Sequence, residues 1–178
     1  MTTAERASLL ANYCQTQETE SYLGYFASVD LMRWVSQELG NTEMLDVFCD
    51  TADGVKSLAV AQSPVLHILS GNTPHAGLQS LLRGIIVGAH NLVKLPSSGL
   101  PVVEQWIAEL PTQLAEMVEL VKDLNDAVFD SAQVVIAIGS DETMQAIQRR
   151  IQPRQRFLAH GHKLSIGLID EPSEGAAQ

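Results

Sequence analysis

The sequence predicts an α/β fold: a parallel sheet with helices on both faces, preceded by an N-terminal helical segment. Three features predict it. From residue 64 onward, short runs of branched apolar residues alternate with stretches of helical period. Each strand-like run ends in a loop of small or turn-forming residues, as at 70–77, 95–101 and 139–143. Residues 1–60, by contrast, show helical spacing only.

In the N-terminal segment, Tyr22, Phe26, Val29, Met32 and Trp34 approximate a helical stripe, and Met44, Val47 and Phe48 start a second one. Gly40-Asn41 between them reads as a C-cap and turn. The texture changes at Pro64. Residues 64–70 (PVLHILS) read as a buried strand, followed by the small-residue loop Gly71–Gly77 and an apolar helix over 78–87. Residues 90–95 form the next strand, running into the turn cluster PSSGLP at 96–101. Val103, Trp106, Ile107 and Leu110 share one face of a helix over 102–110. Residues 117–121 fit either a continued helix or a strand; the strand restores β-α-β alternation, with a helix over 123–130 after it. Residues 133–138 (QVVIAI) are the clearest strand, turned by Gly139–Thr143 into a helix over 144–150. Further strand candidates lie at 157–159 and 164–169.

The 178 residues suffice for one domain with its own core. An apolar fraction of 46% and a mean hydropathy of +0.06 suit a water-soluble protein. No apolar run reaches the ~20 residues of a membrane span, and the N-terminus lacks a signal-peptide core, so a cytoplasmic location is expected. A net charge of −10 and a pI of about 4.8 argue against nucleic acid or an anionic membrane as partner. They leave a nucleotide cofactor open, because phosphate is held locally by backbone N–H groups. Cys14 and Cys49, the only cysteines, lack CxxC spacing and read as reduced, partly buried thiols in helical segments.

In a parallel sheet, ligands bind beyond the carboxyl ends of the strands, so the loops there hold the candidate chemistry. Ser70-Gly-Asn-Thr-Pro-His-Ala-Gly77 joins a strand to a helix. Gly71 permits close approach to the backbone, and Asn72 offers an amide N–H to a developing oxyanion. An ordinary βα turn with a self-satisfied Asn explains the same residues. Lys94, before two serines, suits a sugar or phosphate, or is a solvated strand-end lysine. Ser140 or Asp141 would cap the helix after Gly139, and Asp141 with Glu142 would repel a nearby phosphate. His160 and His162 flank Gly161 with a spacing that can bind metal on a strand, but no third ligand presents itself. His67, inside a strand, reads as a packed residue.

Taken in order, His67–His75 (HILSGNTPH), Asn91–Ser98 (NLVKLPSS), Val135–Thr143 (VIAIGSDET) and Arg156–Lys163 (RFLAHGHK) resemble the acyl-CoA reductases, including the fatty acid reductase of bacterial bioluminescence. These belong to the aldehyde dehydrogenase superfamily. The motifs cover about residues 64–170; residues 1–60 add little to the match. The resemblance implies a Rossmann-like NAD(P) domain over 61–178 after a helical segment at 1–60. It also implies reduction of a cysteine-bound acyl thioester to an aldehyde. Asn72 takes the oxyanion role, and the backbone of Leu69, Ser70 and Gly71 runs beside the cofactor. The superfamily's adenosine-binding Lys-Pro-Ser-Glu element falls on Leu95, Pro96, Ser97 and Ser98, with its lysine displaced to Lys94. Its next cofactor loop falls on Gly139 and Ser140. The implied partner is an acyl thioester, acyl-CoA or acyl carrier protein, and a homo-oligomer of the full-length protein is compatible.

Three departures shape the expectation. Ser98 replaces a glutamate that would repel a 2′-phosphate, which favours NADP over NAD. The general-base glutamate falls on Ala159, which fits acyl exchange with a thiol carrier rather than hydrolysis. The nucleophilic cysteine belongs downstream of Gly161-His-Lys163, so the chain reads as a cofactor domain truncated before it. Rival readings are a glutamyl-phosphate reductase-like enzyme and a non-catalytic nucleotide-binding or interaction module.

Overall fold

The computed structural model describes residues 1–16 and 20–162. The predicted strand at 164–169 lies outside them. The elements are α1 (Thr3–Thr16), α2 (Glu20–Leu23), α3 (Ser28–Leu39), β1 (Cys49–Asp50), β2 (Lys56–Ser57), β3 (Val65–Ile68), α4 (Pro74–Ile86), β4 (Asn91–Lys94), α5 (Pro101–Ala108), α6 (Thr112–Ala115), β5 (Val118–Leu120), α7 (Asp126–Ser131), β6 (Val134–Ile138), α8 (Asp141–Gln148) and β7 (Arg156–His160).

Strands β3 to β7 form one parallel sheet in the order β5-β4-β3-β6-β7. The chain starts in the middle, walks to one edge, returns and walks to the other, which is the doubly wound pattern with a switch point between β3 and β6. Residues 117–121 resolve as the edge strand β5. One sheet face (His67, Leu69, Val93) packs under α4 and α5, with α1 and α3 outside them. Leu66, Leu92, Val135 and Ala137 point the other way, into a second core closed by Phe129 of α7 and by Met144 and Ile147 of α8.

The N-terminal segment departs from expectation. Tyr22 to Trp34 do not form one stripe. Gly24 sits at φ 71 and breaks the chain there, and α3 restarts at Ser28 with the Asp30 carboxylate accepting the Ala27 N–H at 2.9 Å. Its buried face is Leu31 and Val35, while Val29 is exposed. Gly40 caps it as expected, at φ 81. No second helix forms from Met44; Val47 and Phe48 are exposed, and β1 and β2 pair as a short antiparallel ribbon carrying Cys49. Asn41 Oδ1 accepts the Glu43 N–H and turns the backbone. Asp46 then bonds the Thr3 N–H and hydroxyl at the start of α1, 3.0 Å each. That carboxylate serves a helix 43 residues away instead of one of its own.

Two helices start earlier than periodicity indicates. Pro74 opens α4, since proline costs nothing at a first turn. Ser140 caps α8, its Oγ accepting the Thr143 N–H at 3.3 Å.

Candidate functional site

Parallel pairing sets the candidate loops side by side. Ile68 is level with Lys94 on one side and Ala137 on the other, so the loops after β3, β4 and β6 leave the sheet at the same height. Leu69 is buried, its side chain against Gly77, which leaves only its backbone for a ligand. Ser70 and Thr73 bond through their hydroxyls at 2.6 Å, closing the loop, and Thr73 therefore gives α4 no side-chain cap. Gly71 and Asn72 at its tip are exposed.

The turn after β4 approaches this tip. A Cβ on Gly71 would stand 3.2 Å from Ser98 Oγ and 3.7 Å from Pro96 Cγ. The backbone there is thus close to the neighbouring turn because residue 71 lacks a side chain. Ser97 and Ser98 are exposed, Pro96 is half-buried, and the half-buried Lys94 donates from Nζ to Leu95 O at 2.8 Å. On the other side, Gly139 N–H donates to His160 O at 3.2 Å, and Ser140 is committed to its cap. Asp141 Oδ1 accepts the His162 N–H at 3.0 Å, with His162 Nδ1 3.7 Å from its other oxygen. The Ser140 hydroxyl holds the Glu142 carboxyl below its usual range. Both carboxylates occupy the first turn of α8, the position a bound phosphate would need. His162 is thus engaged with Asp141. Among the described residues no group of three His, Cys, Asp or Glu is arranged to hold a metal.

The structure does not bring the cysteines to this site. Cys14 is buried on α1 where that helix packs over α4 and α5, and burial pushes its thiol up to about 11. Cys49 is buried on the ribbon. Ala159 is exposed on the edge strand β7.

Periodicity left two features unread. One is a buried polar triad under α4. Asn91 Nδ2 donates to Ala89 O and Met117 O (2.8 and 3.2 Å), so its Oδ1 accepts from His67 Nε2 at 3.0 Å. His67 Nδ1 then accepts from Ser80 Oγ at 2.8 Å. Burial, partly offset by the Asn91 bond, brings His67 down to about 4, so it is neutral. The second is an apolar groove of about 720 Å³. Its walls are α3 with residues 59–62 and the outer flank of α4; its floor is β6 and β7. It runs from Val65, Val134 and Arg156 at the amino ends of the strands to Ala76, Ile138 and His160 at the carboxyl ends. Only the periodicity of Val134, Ile136 and Ile138, facing away from α8, hinted at it.

Fold and crevice together define a doubly wound α/β protein with its candidate loops at the carboxyl ends of the strands. Proline utilization A from Bdellovibrio bacteriovorus, solved after inactivation by N-propargylglycine, superposes with a TM-score of 0.66. Identity is 10%, covering 90% of this chain and 20% of that one, so the likeness concerns the fold alone. A sequence model of the acyl-CoA reductase (LuxC) family matches residues 4–178, and the chain belongs to that family. It is 28% identical over 152 residues to a long-chain acyl-protein thioester reductase of Aliivibrio fischeri, and 26% identical over 153 residues to long-chain acyl-protein thioester reductase 2 of Photobacterium leiognathi. In each case the match takes in 79% of this chain and 32% of the relative, so the chain corresponds to about a third of their length. No helix among the described residues is long and apolar enough to cross a membrane.

Proposed function

We propose that this chain is the cofactor-binding portion of a cytoplasmic, NADPH-dependent acyl-CoA reductase. In this reading residues 61–178 hold the cofactor and residues 1–60 pack over them. The reading is carried by the approach of the Gly71 tip to the Pro96–Ser98 turn at the carboxyl ends of β3 and β4, a cradle that a side chain on residue 71 would fill. The bound nicotinamide would supply the hydride. The backbone of Leu69, Ser70 and Gly71 would lie along the cofactor, with Pro96, Ser97 and Ser98 beside its sugar. Lys94 and the exposed hydroxyls offer donors to a 2′-phosphate, where a carboxylate would repel it. Gly139 contributes backbone and Ser140 keeps α8 in place, while Asp141 and Glu142 direct phosphate away from that helix.

Asn72 stands exposed at the loop tip, and its amide would hold the acyl carbonyl oxygen as charge develops. The acyl group would arrive as a thioester of coenzyme A or of acyl carrier protein. Cys14 and Cys49 take no part, so the chain by itself neither acylates nor reduces. Calorimetry with NADPH and NADH tests the reading. NADPH should bind more tightly by ~1–2 kcal/mol, Gly71→Val should abolish binding, and Asn72→Ala should leave it unchanged. Equal affinity for the two cofactors, or a Gly71→Val variant that binds normally, refutes it.

A further inference from the structure

The two edges of the parallel sheet are unlike. β5 is three residues long, and its exposed Glu119 sets a carboxylate in the middle of the strand, 3.6 Å from His90 Nε2. Short length and charge are the usual protection of a sheet edge. β7 is five residues long with four of them exposed, and its centre, Phe157-Leu158-Ala159, carries neither charge nor proline. Leu158 leaves 42% of its surface in solvent. Among the described residues β7 pairs with β6 only. The ladder fixes which backbone groups are left over. Arg156 N–H donates to Gln133 O at 2.9 Å, and His160 O accepts from Gly139 N–H at 3.2 Å. Along a strand, the N–H and C=O of one residue point to the same side and those of the next residue to the other. Residues 156, 158 and 160 therefore bond β6, while Phe157 and Ala159 each turn an N–H and a C=O toward the open edge.

We infer that this edge pairs with the same edge of a second copy of the chain, antiparallel, about a two-fold axis at Leu158. Phe157 of each copy then exchanges both backbone bonds with Ala159 of the other. No other symmetric register within the strand uses all the outward groups. The contact is isologous and closed, and it joins the two sheets into one. The side chains suit this register. Leu158 meets its symmetry mate on the face that floors the groove, in the close, non-hydrogen-bonded kind of pair. Phe157 stands opposite Ala159, large against small. Charge is complementary along the strand as well. Its amino end is basic, with Arg154 and Arg156 exposed. Its carboxyl end is acidic: a Cβ on Gly161 would overlap the Asp141 carboxylate, which accepts the His162 N–H at 3.0 Å, and Glu142 follows on α8. Antiparallel pairing lays the basic end of each copy beside the acidic end of the other, so a chain of net charge −10 meets its copy through ends that attract.

Sedimentation velocity of the 178-residue chain should show a reversible dimer of twice 19.3 kDa. Ala159→Pro removes an outward N–H and no bond to β6, so the monomer should stay folded by circular dichroism while dimer affinity falls at least about tenfold. Arg156→Glu and Asp141→Lys each bring like charges together, and each should weaken its own dimer at least about tenfold. Mixed one to one, the two charge variants should form a heterodimer near parental strength, because both contacts are then opposite in sign. If Ala159→Pro does not fold, Leu158→Cys carries the test. The Cα atoms of a non-hydrogen-bonded pair lie ~4.5 Å apart, within disulfide reach. Leu158→Cys should therefore oxidise to a covalent dimer at least about tenfold faster than Arg156→Cys, whose symmetry mates lie four residues apart along the ladder. A chain that is monomeric at every concentration overturns the inference, and that is also the result if residues 163–178 of the same chain take the edge. A dimer that Ala159→Pro and the charge variants leave intact overturns it equally, as does Leu158→Cys oxidising no faster than Arg156→Cys.

Discussion

Gly84 offers a sharp test of the buried triad. It lies within α4, where alanine gains ~1 kcal/mol over glycine by helix propensity. A surface glycine changed to alanine would therefore stabilise. At Gly84 the added methyl would overlap Asn91 Oδ1, lie 2.9 Å from Asn91 Cγ and come within 3.3 Å of His67 Nε2. Asn91 cannot swing aside freely: it is fully buried and holds Ala89 O and Met117 O as well as His67. Overpacking costs ~1–3 kcal/mol, and a broken buried hydrogen bond adds ~1–3 kcal/mol. Set against the propensity gain, Gly84→Ala should destabilise by about 1–5 kcal/mol. Gly77 on the same helix is the control. There the methyl meets only the end of the Leu69 side chain, at 2.9 Å, which can rotate, so Gly77→Ala should fall within about 1 kcal/mol of the parent. Urea unfolding by circular dichroism, compared at equal m-values, reads both. Stabilisation by Gly84→Ala, or equal shifts for the two variants, would refute the reasoning.

Two further predictions follow from the same interior. His67 titrates near 6.5 when unfolded and at about 4 when folded, so between those values the unfolded chain binds the extra proton. Its contribution is full above pH 6.5 and is lost as pH falls toward 4, about 3 kcal/mol in all. The urea midpoint should drop across that window, and a His67→Gln variant with an equal pH slope would contradict the assignment. Cys14, with its thiol raised from 9.0 to about 11, should alkylate at least about a hundredfold more slowly in the native chain than in urea at pH 8. Intact-mass kinetics resolve this, and rapid native modification at Cys14 would show that its place in the core is wrong.

Much of the sheet was legible in the sequence, because strands buried on both faces must be continuously apolar. Residues 65–68, 91–94 and 134–138 read as strands for that reason, and Gly40 and Ser140 declared their caps within three or four residues. The loops of the candidate site were legible too, since each directly follows a strand. What local pattern could not supply was partnership at a distance. The stripe that Met44, Val47 and Phe48 start forms no helix, and Asp46 within it bonds the first turn of α1; only folding brings it to Thr3. Gly24 interrupts a stripe whose spacing passes straight through it. The approach of Gly71 to Ser98, the triad joining His67, Ser80 and Asn91, and the groove over β6 and β7 all depend on strand order. Hydrophobic period states which residues are buried and leaves open what buries them. Here that was decided by placing β3 between β4 and β6, which sets three loops at one height and makes β6 and β7 the floor of the groove.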